Sequence, residues 1–217
     1  MFSLKIISYT GYILLFINTI IYFIGFAGKS RAYKFFTFYL LGICAVQFIM
    51  ESYATRNANN HFLSTYYLFI QYIVLSCFFY YVFEDCNKKI SRVIKYITVP
   101  VLVVLAIQYI REPELYYVFN SFGFLMTAII LILYAVLYLY ELISNKLPFY
   151  YITAGIFIYL IGISLIFATA AEIVSIAADV GMYIWKINSI IFIAYQLLIL
   201  YEWKKTFYQK ATKQRSY

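Results

Sequence analysis

Residues 116–141 read YYVFNSFGFLMTAIILILYAVLYLYE, with no charged side chain before Glu141. A helix needs roughly 20 mostly apolar residues to cross a bilayer, and this run supplies them with aromatic side chains at both ends. Working outward, the same pattern recurs at about 6–27, 35–52, 62–83, 96–111, 149–172 and 182–203, separated by short polar linkers. Seven spans are therefore predicted. The expected fold is an all-α polytopic membrane helix bundle, one transmembrane domain over 1–203 followed by a basic tail, 204–217.

Composition agrees with that reading. The 217 residues are 65% hydrophobic and 12% charged, with mean hydropathy +0.82, too apolar and charge-poor for a soluble domain of this size. The 26 Tyr and 21 Phe read as aromatic belts, as a stacking cavity, or as the codon bias of an AT-rich genome. Cys44, Cys77 and Cys86 show no CxxC or Cys/His spacing, so neither a disulfide framework nor a zinc site is indicated, and no cofactor is expected. The first run exceeds a signal-peptide core and its positive flank follows it, so it is read as a span.

Charge sets the predicted orientation. Lys29, Arg31 and Lys34, then Lys88, Lys89, Arg92 and Lys95, then Lys146, then Lys204, Lys205, Lys210, Lys213 and Arg215 fall on one side, whereas Lys5, Arg56, Arg111 and Lys186 fall on the other. Basic residues concentrate on the cytoplasmic side of membrane proteins, so the N-terminus is expected outside and the C-terminus inside, as an odd span number requires. The expected location is the bacterial inner (cytoplasmic) membrane. The net charge of +8 is thereby assigned to topology, with anionic lipid headgroups as partners rather than nucleic acid.

Arg111-Glu112-Pro113-Glu114 and Lys146-Leu147-Pro148 supply turns between spans, and Pro100 is expected in the first turn of span four. Gly42, Gly123, Gly155 and Gly162 lie within spans, where small residues let helices approach closely. An internal repeat is also suggested. Tyr39-Leu40-Leu41-Gly42-Ile43-Cys44 recurs as Tyr159-Leu160-Ile161-Gly162-Ile163-Ser164, and His61, Ser64 and Gln71 share their spacing with Lys186, Ser189 and Gln196. Spans one to three (6–83) and five to seven (116–203) would then be parallel repeats joined by linker helix 96–111, a 3+1+3 plan; chance similarity in so Tyr- and Leu-rich a chain is the competing reading.

Ionisable groups at membrane depth are costly and usually face a cavity or a partner helix. Gln47, Glu51, His61, Gln71, Asn120, Glu172, Lys186, Asn188 and Gln196 all fall in the predicted outer half or at the midplane. They form the candidate set for an extracytoplasmic polar pocket that binds a ligand or couples protons. Against it stand two plain readings: interfacial residues for Glu51, His61, Glu172 and Lys186, and interhelical packing bonds for Gln47, Gln71 and Gln196. Glu51 and Glu172 would titrate according to burial and to nearby Lys186, Arg56 or His61.

A single His61 excludes a catalytic zinc with several histidine ligands, and no GxSxG, Gly-rich phosphate loop or HExxH occurs. Lys186 lies too near the end of its span for a retinal Schiff base. No catalytic residue is assigned, although a carboxylate-only lipid-modifying enzyme using Glu51 and Glu172 stays open. The closing segment Leu200-Tyr201-Glu202-Trp203-Lys204-Lys205-Thr206-Phe207 reads as interfacial anchoring, and with the seven-span topology it resembles that of small uncharacterised seven-span bacterial membrane proteins and seven-span sensor modules. The resemblance implies signalling through a partner, membrane or cytoplasmic. The leading expectation is a sensor with an outward-facing pocket; the alternative is a small proton-coupled transporter with Glu51 and Glu172 as coupling carboxylates.

Overall fold

The computed structural model describes the backbone of residues 2–173 and 178–208, and side-chain surroundings for 4–166 and 183–208. Seven long helices form among the described residues: α1 (Phe2–Phe23), α2 (Arg31–Thr55), α3 (Phe62–Cys86), α4 (Lys88–Arg111), α5 (Ser121–Ser144), α6 (Tyr150–Ile173) and α7 (Ala178–Glu202). Tight 3-10 turns cover Phe26–Gly28 and Pro113–Tyr116, and a π-helical turn, Trp203–Tyr208, continues α7. Six of the helices are long and apolar enough to cross a membrane, the pattern of a multi-pass membrane protein; the described apolar part of α6, Tyr150–Ile166, is shorter.

Helix starts follow local chemistry rather than hydropathy. Ser30 accepts from the Tyr33 N–H and caps α2, while Asn87 accepts from the Ile90 N–H and caps α4. The latter bond moves a boundary. Span four is predicted from 96, but α4 starts at Lys88, because lysine and arginine are good helix formers and charge marks the membrane edge without ending a helix. Pro100 consequently lies inside α4 rather than in its first turn. Span five is predicted from 116, yet Pro113–Tyr116 forms its own turn and α5 waits for Ser121.

The chain divides into two compact units: Met1–Tyr22 with Ile132–Tyr217, and Phe23–Leu131. Within the second, α2 and α3 pack antiparallel, with Phe36 against Phe78 and Gly42 admitting Ile70. Tyr33, Phe36, Leu40, Tyr72, Phe78 and Phe79 are fully buried there. α4 follows as an antiparallel neighbour of α3, pinned by Ser91 Oγ on the Tyr80 carbonyl at one end and by Tyr109 on Thr65 at the other.

Within the first unit, α6 and α7 make the corresponding antiparallel pair. Gly155 of α6 meets Tyr195, Gly162 of α6 meets Ile191, and Gly11 of α1 meets Phe192, so three glycines all admit side chains of α7. The two recurring hexapeptides thus each place their glycine, Gly42 and Gly162, against an isoleucine of the next helix. Ile70 stands immediately before Gln71, whereas Ile191 stands five residues before Gln196. The glycine correspondence and the polar correspondence are therefore one helical turn apart.

Outward faces are apolar on most helices. Ile13, Phe48, Val103, Leu133 and Leu165 are all about half exposed or more, a surface that suits hydrocarbon and not water.

Candidate functional site

The densest polar arrangement runs along α7, at positions where an apolar helix would ordinarily present only aliphatic groups. Ser189 Oγ donates to the Trp185 carbonyl at 3.0 Å, which leaves Ser8 of α1 as the donor in the 3.0 Å Ser8–Ser189 bond. Two turns further on, Asn18 Nδ2 donates both to the Gln196 carbonyl (2.8 Å) and to Gln196 Oε1 (2.9 Å). Tyr22, also on α1, gives its hydroxyl to the Ile199 carbonyl at 3.0 Å. The rungs lie at positions 189, 196 and 199, with Phe192 seated on Gly11 between them, which is the spacing of one helix face.

The neighbouring face of α7 belongs to α6. Tyr195 stacks on Tyr159 with ring centres 5.1 Å apart, held where Gly155 leaves room. At the end of the helix, Glu202 is 1% exposed and accepts from the Phe149 N–H (3.3 Å) and the Tyr151 N–H (2.7 Å). These are N–H groups that the start of α6 cannot satisfy internally, so a carboxylate from another helix serves as the cap. Phe149 itself has φ +67, a left-handed conformation that a bulky residue adopts only when its surroundings insist. Its ring packs on Phe207 of the π-helical turn, and Lys205 donates to the Tyr151 hydroxyl at 2.7 Å while lying 4.9 Å from that ring's centre. Glu202, Lys205 and Phe207 thus bind the last turns of the described chain to the first turn of α6.

The predicted site residues fall in both units. In the second unit Gln47 and Glu51 are half-buried on α2. His61 is exposed and precedes α3, its N–H held by Asn59 Oδ1. Gln71 is buried in α3, and its Oε1 has no hydrogen-bond partner among the described residues. Asn120 is buried and spans two helices: its Oδ1 accepts from the Gly123 N–H at 2.8 Å, capping α5, and its Nδ2 donates to Gln108 Oε1 of α4 at 3.0 Å. Nearby, Tyr66 and Tyr116 share a 2.7 Å hydroxyl bond, which pushes the Tyr116 phenol above its ordinary pKa because the neutral form keeps the bond.

In the first unit Lys186 is half-buried with its ammonium 5.2 Å from the centre of the Tyr183 ring. Asn188 is half-buried and its Oδ1 has no partner among the described residues. Gln196 is buried and bonded to Asn18, the interhelical arrangement set beside ligand contact for it above. The Glu172 side chain lies outside the described residues. Among the described residues no group of three His, Cys, Asp or Glu side chains gathers to hold a metal.

Sequence reasoning missed Asn18 and Glu202. Asn18 carried a usable signal, since an amide in the middle of an apolar run needs a partner helix. Glu202 carried none, because beside Trp203, Lys204 and Lys205 a carboxylate looks like an interfacial residue. No family model, curated protein or solved structure matches the chain.

Proposed function

We propose that the protein is a multi-pass sensor of the bacterial inner membrane, in which a small extracytoplasmic ligand or a membrane partner acts at the polar start of α7 and α7 passes the change to its cytoplasmic end. The N-terminus lies outside in this reading, and Lys186 and Asn188 are the receiving residues. The observation that carries it is the bonding of α7 along its length. Ser189, Gln196, Ile199 and Glu202 are each tied to α1 or α6, so a shift of α7 at Lys186 strains every rung down to Glu202 and the π-helical turn. The output partner is a cytoplasmic or membrane signalling subunit.

Cross-linking in native membranes tests this. A signalling subunit should co-purify with the wild-type chain and be lost when Glu202→Ala releases the end of α7, while the variant remains folded. Absence of any signalling subunit, with intact folding, argues against the sensor.

The recurrence of a glycine seated on an isoleucine in α2–α3 and again in α6–α7 favours a second reading, a small transporter built on the 3+1+3 plan, with Glu51 and Glu172 as coupling carboxylates. Proton uptake in liposomes that disappears in Glu51→Gln or Glu172→Gln would select it over the sensor.

A further inference from the structure

Within the second unit, helix α4 is far less covered than α2 or α3. Within the second unit it packs on α3 and on the turn that follows it, and it leaves Tyr96, Val99 and Val103 at 73%, 55% and 51% exposure. Lys88, Arg92 and Lys95 extend the same outward side toward the start of the helix, all three exposed and spaced at four and three residues, so they form one stripe. No acidic residue occurs within α4. The outward side is therefore divided, cationic over its first two turns and apolar beyond.

A third feature lies where the two parts meet. Pro100 has no N–H to offer the carbonyl of Tyr96, which thus loses its ordinary helical donor just past Lys95. At that depth interfacial water can supply one. Cations above and a branched apolar face below match, in order, the phosphate and the acyl chains of a phospholipid, with the water-served carbonyl between them at the hydrated ester level.

We propose that the outward side of α4 is a binding site for an anionic phospholipid, with Lys88, Arg92 and Lys95 holding the phosphate and Tyr96, Val99 and Val103 lying along an acyl chain. A second copy of the chain is the other occupant an apolar helix face invites, and charge argues against it. Two copies inserted the same way and related by a two-fold axis along the membrane normal bring equal depths together, so each cationic stripe would meet itself. Zwitterionic lipid fits the apolar part but leaves the three cations uncompensated. This inference is independent of the sensor reading, since it concerns only the second unit.

The full-length protein in mild detergent, supplied with equal phosphatidylglycerol and phosphatidylcholine, provides the test by native mass spectrometry. Wild type is expected to retain phosphatidylglycerol preferentially, with a gain on the order of fivefold for each basic residue that reaches the headgroup. The Lys88→Ala/Arg92→Ala/Lys95→Ala variant should lose that preference, and a charge-matched Lys146→Ala/Lys204→Ala/Lys213→Ala variant should keep it. Equal retention of the two lipids by wild type, or equal loss in the charge-matched control, overturns the proposal. A readout that leaves the cations in place is Val99→Trp with Trp185 and Trp203 replaced by Phe. Its emission should be quenched more by chain-brominated phosphatidylglycerol than by the brominated choline lipid, and equal quenching refutes the site. Efficient disulfide formation between copies of Val103→Cys in phosphatidylglycerol bilayers would assign the face to a second copy instead.

Discussion

The buried carboxylate of Glu202, at the end of α7, accepts a 2.7 Å hydrogen bond from the backbone N–H of Tyr151 in the first turn of α6. A second bond, from the Phe149 N–H, makes Glu202 the cap of a helix to which it does not belong. Charge-assisted bonds to backbone donors are the stronger kind, and removing their acceptor leaves buried N–H groups without a partner. Glu202→Ala should therefore destabilise the protein by about 2–3 kcal/mol. Glu202→Gln, which retains one acceptor oxygen, should lose less. Unfolding in graded denaturing detergent measures both, and equal stability of Glu202→Ala and wild type would show that the cap contributes nothing to stability.

Asn18 and Gln196 predict a coupling rather than a large loss. Asn18→Leu strips a donor from both the Gln196 side chain and its carbonyl, yet interhelical bonds between polar side chains in membranes are typically worth only about 1 kcal/mol. A double-mutant cycle with Gln196→Leu should return a favourable interaction energy of that size. A coupling indistinguishable from zero would mean that the two amides meet without contributing.

Three glycines should rank by what a methyl group meets. At Gly155 an added Cβ would lie 2.8 Å from Tyr195 Cδ2, on a ring already fixed by its stack on Tyr159, so Gly155→Ala should cost about 1–3 kcal/mol. At Gly162 the obstacle is Ile191 Cδ1, the far end of a side chain that can turn, and the cost should be smaller. Gly28 meets nothing, and Gly28→Ala should be neutral or slightly stabilising. Detergent melting temperatures in that order support the packing; a neutral Gly155→Ala contradicts it.

The Tyr66–Tyr116 bond sets a pH dependence. Because the folded Tyr116 phenol titrates above its unfolded value, its contribution is fully present below about pH 10 and fades as pH rises through the folded pKa. Tyr66→Phe should bring the Tyr116 titration back toward the ordinary value. A fluorinated tyrosine at position 116, followed by fluorine NMR from pH 8 to 12, reports the shift; an unchanged midpoint would show that the hydroxyls do not interact.

Much of the architecture was legible because bilayer thickness imposes a length and a polarity on every crossing segment. The runs around 6–27, 62–83 and 182–203 each coincide with a helix to within a few residues. The helix that carries span four begins before the predicted span for a physical reason: the stretch from Lys88 to Lys95 is polar enough to end a span but not a helix, which moves Pro100 from the first turn to the interior.

The sequence by itself determined the environment, the helical content, and the supply of polar groups inside it, since these depend on the character of each residue and its near neighbours. Only the tertiary structure decided partnership. That Asn18 serves Gln196, that Asn120 joins α4 to the start of α5, and that Glu202 caps α6 depends on contacts between residues far apart in the chain or on the turn each helix presents. Spacing along one segment gives a face, but which helix meets that face is set by packing, where Gly11, Gly155 and Gly162 open the space that lets α7 be held on two sides.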